Sequence, residues 1–162
     1  MLSLTRKADY ALVAMAELAR RDPVSVSARE VARSVRVPLP MLTNILHQLL
    51  RHGLVTSTMG SKGGYYLAKP AEEISLAEMI EATQGRFRFA PCCTDDPGLD
   101  EHVCNLEETC LVRDPVRNVH QSLRRFLSQV TLAHIAFYSE PIVLGLPGGA
   151  KRERVHVTGA AE

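Results

Sequence analysis

The sequence has no tryptophan, few aromatic residues and no apolar run that approaches the roughly 20 residues needed to cross a bilayer. Its first residues, Met1 to Tyr10, also lack the basic and then apolar pattern of a secretory signal. The rest of the composition is ordinary for a globular domain. These absences predict a cytoplasmic protein of one domain, or one domain with an appendage, that has no membrane partner.

Charge is nearly balanced over the whole chain but is distributed unevenly along it. The formal net charge of the 162 residues is +1. Residues 1–70 contain ten Lys and Arg against four Asp and Glu, whereas residues 71–114 contain eleven acids and three bases. A basic segment followed by an acidic one predicts an anion-binding surface on the N-terminal part alone.

The N-terminal segment predicts two helices. From Thr5 to about Arg21 the apolar residues recur at helical spacing, and Asp22-Pro23 ends the run. Ser27 and Glu30 have the spacing of a capping box, in which a hydroxyl and a carboxylate each accept a hydrogen bond from the other residue's backbone N–H. A short second helix is therefore expected to begin at this box.

A third helix and a β-hairpin follow. Pro38 and Pro40 favour a helical start, and a stripe of leucine and isoleucine continues up to a capping Gly53. Two short strands, 54–57 and 65–67, flank a glycine-rich turn, as expected of a hairpin. Together these elements predict a winged helix-turn-helix domain over residues 1–70. The alternative is a helical bundle whose exposed polar residues only face solvent.

A winged helix-turn-helix binds duplex DNA by placing its third helix in the major groove and its hairpin beside the phosphates or the minor groove. Asn44 is the best candidate for reading a base, because its amide can form two hydrogen bonds with adenine. Surface arginine and lysine side chains are candidates for phosphate contacts, although such residues are often only solvated. The predicted DNA-binding residues are Arg29, Pro40, Thr43, Asn44, His47, Arg51 and Lys62.

A linker and an irregular segment occupy the middle of the chain. Within the linker, 71–91, Ser75 and Glu78 form a second capping box that starts a short helix ending at Gly85. Residues 92–113 show little periodicity and contain all four cysteines. A stretch of this length in a compact chain needs an organiser such as a metal, or is disordered. In a reducing compartment, cysteines more often bind metal or sense redox state than form structural disulfides.

The four cysteines, Cys92, Cys93, Cys104 and Cys110, provide thiolates at three places in one segment. Soft metals prefer thiolate ligands. The paired C-x(2–4)-C spacing typical of zinc sites is absent, so an iron–sulfur cluster, [2Fe-2S] or [4Fe-4S], is preferred. The fourth ligand is open: the two adjacent cysteines together, His102, or a residue elsewhere. Free thiols are the alternative, and a cysteine-based enzyme is disfavoured because no partner motif for a nucleophile is evident.

A long amphipathic helix is predicted over residues 114–138. Asp114 and Pro115 are a start signal, and apolar residues then alternate at spacings of three and four over three heptads, the pattern of a coiled-coil seam. Such a stripe must pack on another helix. A second copy of the chain is favoured, and a lid over the N-terminal core is the alternative. The stripe consists of Val116, Val119, Leu123, Phe126, Val130, Ala133 and Phe137.

Residues 139–162 are expected to be a flexible tail.

Four motifs together resemble one known family. They are Ser-Leu-Thr-Arg-Lys-Ala-Asp-Tyr-Ala-Leu at 3–12, Gly-Ser-Lys-Gly-Gly-Tyr at 60–65, Ile-Ser-Leu-Ala-Glu-Met-Ile at 74–80, and the three-part cysteine pattern. The sequence resembles the BadM/Rrf-type winged-helix transcriptional regulators, which include IscR-like and NsrR-like iron–sulfur regulators, over about residues 1–137. The resemblance implies a homodimeric bacterial DNA-binding protein, a repressor of iron–sulfur assembly, iron, redox or nitric oxide stress genes, whose DNA affinity depends on a cluster.

The resemblance also implies a set of cofactor ligands. Arg113 stands where IscR-like members have a histidine, which excludes that fourth ligand. Asp9 matches the aspartate that NsrR-like members use, and it would reach the cluster of the partner subunit. An acid in the first turn of a helix is equally well explained by the helix dipole. The implied ligands are Cys92, with Cys93 as its rival, Cys104, Cys110 and Asp9.

Overall fold

The computed structural model describes residues 4–60, 63–90, 92–93 and 109–137. It is mainly helical with one small antiparallel sheet, which confirms the predicted fold class. A 3-10 turn at Ala71–Glu73 precedes the fourth helix. The elements are α1 (Arg6–Arg21), α2 (Ala28–Val35), α3 (Leu39–Arg51), β1 (Val55–Thr58), β2 (Gly64–Leu67), α4 (Leu76–Gln84), α5 (Arg113–Gln129) and α6 (Leu132–Phe137).

Local sequence signals determine where most helices begin and end. Ser27 with Glu30, and Ser75 with Glu78, form both predicted capping boxes at the starts of α2 and α4. In each box the serine hydroxyl accepts a hydrogen bond from the glutamate N–H, and the glutamate carboxylate accepts one from the serine N–H. Gly53, at φ +69°, follows the end of α3 in the left-handed conformation expected of a C-terminal cap.

The wing is attached to the segment that precedes α2. Val26 and Tyr65 exchange two backbone hydrogen bonds, of 2.9 and 2.8 Å, which extends the two-stranded sheet by one residue pair. Gly64 passes so close to this segment that a Cβ there would lie 2.5 Å from the Val26 backbone. The base of the wing is therefore fixed against the helix-turn-helix. The paired residues are Val55 with Leu67, Thr56 with Tyr66, Ser57 with Tyr65, and Thr58 with Gly64.

The hydrophobic core lies between α1, α3, α4 and α6. Helix α4, which the sequence analysis assigned to a linker, packs against both α1 and α3, and Met79 and Ala82 join the same buried cluster. The division of the chain into five segments stays a prediction. The largest fully buried side chains are Met15, Leu18, Leu42, Ile45, Leu46, Leu49, Ile74, Met79 and Leu132.

The predicted continuous helix over 114–138 is wrong, because the helix is interrupted after Gln129. Val130 is extended, and its carbonyl accepts a hydrogen bond of 2.7 Å from the N–H of Leu76. The N–H of Leu132 donates a 2.7 Å hydrogen bond back to the carbonyl of Ile74. These two bonds pair backbone groups that a continuing helix would have paired internally. The Leu132 side chain is completely buried at the same point.

Helix α6 then turns onto the core of its own chain. Thr131 caps α6, since its hydroxyl accepts from the N–H of His134, and the His134 ring accepts from the N–H of Thr131. Ala133 is buried against the core, and the Arg20 side chain of α1 donates to the carbonyl of Ala136. The last part of the apolar stripe is therefore an intrachain lid, as in the alternative, and only its earlier part lies on α5.

Some predicted features lie outside the described residues. They are Lys62 of the wing, His102 and Cys104 of the irregular segment, and the tail 139–162. In the part of the chain that the structure does describe, no helix is both long and apolar enough to pass through a bilayer.

Candidate functional site

Four predicted DNA-binding residues share one exposed face of α3. Pro40, Asn44, His47 and Arg51 recur at spacings of four and three residues, which places them along one side of the helix. All four are exposed, because the opposite side of α3 faces the core, to which it contributes Leu42, Ile45, Leu46 and Leu49. We call Pro40, Asn44, His47 and Arg51 the recognition face. It combines an amide that can read bases with two groups that can donate to phosphate.

Two other predicted DNA-binding residues, Thr43 and Arg29, are not part of the recognition face. Thr43 is half-buried, and its hydroxyl donates a 2.9 Å hydrogen bond to the carbonyl of Leu39 in the preceding turn. Its proton is thus engaged within the helix, which weakens Thr43 as a base reader. Arg29 is exposed in the first turn of α2, the helix that packs on α3.

A cavity of about 940 Å³ borders the recognition face. It also reaches Lys7 of α1, one of the surface lysines and arginines that the sequence offers as phosphate contacts, because α1 packs on α3. Lys7, His47 and Arg51 line it, and none of the described residues around it is a carboxylate, so the cavity favours anions. Gln48 also lines it, and its side-chain oxygen is buried without a hydrogen-bond partner in the described part of the chain.

Cysteines that are distant in sequence each contact the first two turns of α5. The backbone N–H of Arg113 donates to the carbonyl of Cys110 at 3.4 Å. Arg117 Nε donates to the carbonyl of Cys92 at 3.1 Å, one turn further along the helix. The positive end of a helix dipole stabilises anionic groups such as thiolates. The start of α5 is therefore a favourable place for sulfur ligands.

The adjacent cysteines Cys92 and Cys93 differ in environment. Cys93 is 4% exposed, and its Sγ lies 3.9 Å from the carbonyl oxygen of Val116 on α5. Burial raises the pKa of the Cys93 thiol, the nearby Cys92 thiol adds to this effect, and the Arg117 guanidinium opposes it. Cys92 and Cys110 are both half-buried. Metal binding requires a thiolate, so the two neighbours are not equivalent as ligands.

The described residues do not by themselves complete a metal site. Among residues 4–60, 63–90, 92–93 and 109–137, no group of three or more His, Cys, Asp or Glu side chains is arranged to hold a metal ion. Asp9 is exposed in the first turn of α1 and is not part of such a group. The thiols at the start of α5 fit a thiolate-bound group in their chemistry, but further ligands for such a group would have to come from outside the described residues.

Contacts connect the cysteines to the DNA-binding domain. The rings of Phe87 and His120 stack with centroids 5.8 Å apart, which joins the segment after α4 to α5. Arg124 of α5 also pairs with Glu81 of α4 at 3.8 Å. Since α4 packs on α1 and α3, a continuous path of packed elements runs from the start of α5 to the recognition face.

The helix-turn-helix, the attached wing and the anion-favouring surface of α3 define a winged-helix DNA-binding protein. A family model described as "Rrf2: Iron-dependent Transcriptional regulator" matches residues 4–137. The chain belongs to the Rrf2 family. It is a DNA-binding transcriptional regulator and not an enzyme.

Individual relatives agree with this assignment. The chain is 30% identical over 142 residues to an rrf2-like HTH-type regulator of Rhodobacter capsulatus, which covers 85% of this chain and 95% of the relative. It is 32% identical over 136 residues to an HTH-type regulator of Mycobacterium tuberculosis, covering 83% and 81%.

Two solved structures have the same fold. CymR (YrzC), the global cysteine regulator of B. subtilis, superimposes with a TM-score of 0.65 at 23% identity, covering 86% of this chain and all of that one. IscR of T. potens superimposes with a TM-score of 0.64 at 24% identity, covering 86% and 89%. At these identities the likeness concerns the fold alone.

Proposed function

We propose that the protein is a homodimeric, cytoplasmic repressor whose affinity for operator DNA depends on an iron–sulfur cluster bound by residues 92–113. The observation that carries the proposal is the placement of Cys92, Cys93 and Cys110 at the start of α5. That helix connects the thiols to α4 and, through it, to the core behind the recognition face. The family model's description as iron-dependent supports a metal-linked function.

The recognition face would enter the major groove of the operator. Asn44 would read a base, while His47, Arg51 and Lys7 would contact phosphates along the edge of the groove. Arg29 and Lys62 would add phosphate contacts from α2 and from the wing. Pro40 and Thr43 would pack against base edges at the start of α3.

The cluster ligands would be Cys104, Cys110 and one or both of the adjacent pair, Cys92 and Cys93. Asp9 would complete the set from the partner subunit. When bound, the cluster would supply a centre that responds to oxidants, nitric oxide or iron supply. The chain's own contribution is to hold the thiols at a helix end, so that ordering of the segment changes how α5 packs on α4.

The dimer would form through the outward side of α5. Of its 17 residues only His120 is buried within the chain, while Val119 is 45% exposed and Val112, just before the helix, is 59% exposed. Val116, Leu123 and Phe126 are half-buried beside them. An apolar stripe of this length favours pairing with a second copy of the same helix.

Oxygen-free purification and DNA titration test the proposal. We expect iron and sulfide in the purified chain, a visible absorption spectrum, and a change in Kd for a duplex enriched from random DNA when the cluster is removed, with salt held constant. Cluster occupancy without any change in Kd contradicts it. Zinc without iron would indicate the alternative, a zinc-stapled repressor, and a metal-free protein that binds DNA equally well would indicate a cluster-free one.

A further inference from the structure

The neighbours Cys92 and Cys93 are held in place by different atoms. Cys93 is held through its side chain, which is buried against the backbone of α5 near Val116. Its backbone N–H also donates to the carbonyl of Ala90 at 2.9 Å, which closes a turn at this point. Its sulfur is therefore used in packing the segment onto the helix.

Cys92 is held through its backbone instead. Its carbonyl accepts the hydrogen bond from Arg117 Nε, and its thiol remains half-buried. The guanidinium of Arg117 also acts on the Cys93 thiol, so its positive charge lies beside the Cys92 backbone and close to the Cys93 sulfur. This arrangement leaves the Cys92 thiol more accessible to an added ligand than the Cys93 thiol.

We propose that Cys92 is the thiol of this pair that binds the cluster, that Cys93 docks the segment onto α5, and that Arg117 is a positioning residue for Cys92. The inference rests on the proposed cluster function. Beyond orientation, the guanidinium that bonds the Cys92 carbonyl would favour the reduced form of an iron–sulfur centre bound to that residue, because nearby positive charge stabilises the more negative state.

The first test uses the full-length chain without a cluster. Under anaerobic conditions iodoacetamide should alkylate Cys92 about tenfold faster than Cys93, because exposure controls thiol reactivity. Mass spectrometry of Cys92→Ser and Cys93→Ser variants distinguishes the two sulfurs, and unfolding in urea should make their rates equal. Equal rates in the folded chain would overturn the assignment of Cys93 as the docking residue.

The second test uses the reconstituted chain. Cys92→Ser should lose most of its iron and keep the melting temperature of the cluster-free wild type. Cys93→Ala should keep its iron but melt at a lower temperature when cluster-free, since a buried side chain has been shortened. A folded Cys93→Ala chain that loses as much iron as Cys92→Ser overturns this proposal alone. A wild-type chain that binds no iron instead overturns the proposed function.

The third test concerns Arg117, with Arg125 as the matched control on an exposed part of the same helix. Arg117→Met should shift the reduction potential of the cluster to a more negative value. Arg125→Met should leave the potential unchanged, and Arg117→Lys should restore it because it restores the charge. An unchanged potential in Arg117→Met contradicts the positioning role, whatever happens to the melting temperature.

Discussion

Helices α1 and α5 are nearly equal in length but differ in their relation to the core. Six of the 16 residues of α1 are buried, whereas one of the 17 residues of α5 is buried within the chain. Burial of apolar surface supplies most of the stability of a helix in a protein. The N-terminal domain is thus stabilised by its own contacts, while α5 buries little of its surface against the described residues. Reading DNA falls to the first region, and pairing and sensing are proposed for the second.

The largest expected effect is on the free energy of unfolding, and it tests whether α6 belongs to the core of the N-terminal domain. Leu132→Ala should lower the free energy of unfolding by about 2–5 kcal/mol, because Leu132 is fully buried and its removal leaves a cavity. Chemical denaturation measures this loss. The same substitution at Leu111, which is 96% exposed, should change stability by less than about 0.5 kcal/mol. Equal effects at the two positions would show that α6 does not close the core.

The next effect should separate DNA recognition from stability. Asn44→Ala should weaken binding to the preferred duplex by about 1–3 kcal/mol and relax its sequence preference, since one base contact is lost. Arg51→Ala should weaken binding to all duplexes and reduce the slope of log Kd against log salt by about 1. Fluorescence anisotropy at several salt concentrations measures both. Neither variant should change the melting temperature, because both side chains are exposed.

A third prediction tests whether α5 forms the interface of the proposed dimer. Val119→Asp should raise the dissociation constant of the dimer by about tenfold or more, since it places a charge in an apolar seam. Analytical ultracentrifugation over a range of concentrations measures this shift. Gln121→Asp, at an exposed position two residues away, is the control and should leave the dimer intact. An unchanged dimer in Val119→Asp would mean that the two copies meet elsewhere.

The smallest effect concerns Glu78, at the start of the helix between the two regions. Burial alone would raise the pKa of Glu78, but hydrogen bonds from Lys69 and from Ser75 lower it below the ordinary value of 4.5. A carboxyl group with a lowered folded pKa contributes stability above its unfolded pKa and loses it as the pH falls through the folded value. Glu78→Gln should therefore destabilise the protein near neutral pH, by a difference that shrinks below about pH 4. Urea denaturation at several pH values measures it, and a pH-independent difference would contradict this explanation.

Much of the fold was predictable because its signals are local. Both capping boxes and the glycine after α3 specify boundaries through atoms only a few residues apart, and the structure has those boundaries. The break at Val130 was missed because it depends on hydrogen bonds with Ile74 and Leu76, more than 50 residues away in sequence. The heptad spacing of apolar residues is the same in a sequence whether they pack against a second copy of the chain or against the core of their own chain.

The candidate site was predictable to a similar degree. The recognition face follows from the periodicity of α3, since its polar positions must oppose its buried ones. Lys7 was a candidate phosphate contact from the sequence, but its position beside the recognition face was not predictable, because it results from the packing of α1 on α3. The difference between Cys92 and Cys93 was equally hidden, because it depends on contacts with Arg117 and Val116.

The amide oxygen of Gln84, at the end of α4, accepts hydrogen bonds from both the N–H and the hydroxyl of Thr5, at 3.0 and 3.1 Å. The same hydroxyl accepts from the N–H of Ala8 and so also starts α1. Thr5 thereby connects the end of α4 to the start of α1, and neither helix terminus can move without breaking these hydrogen bonds. Besides the packing of α4 on α1, this side chain therefore gives a displacement of α4 a direct route to the first turn of α1, which contains Lys7 and Asp9.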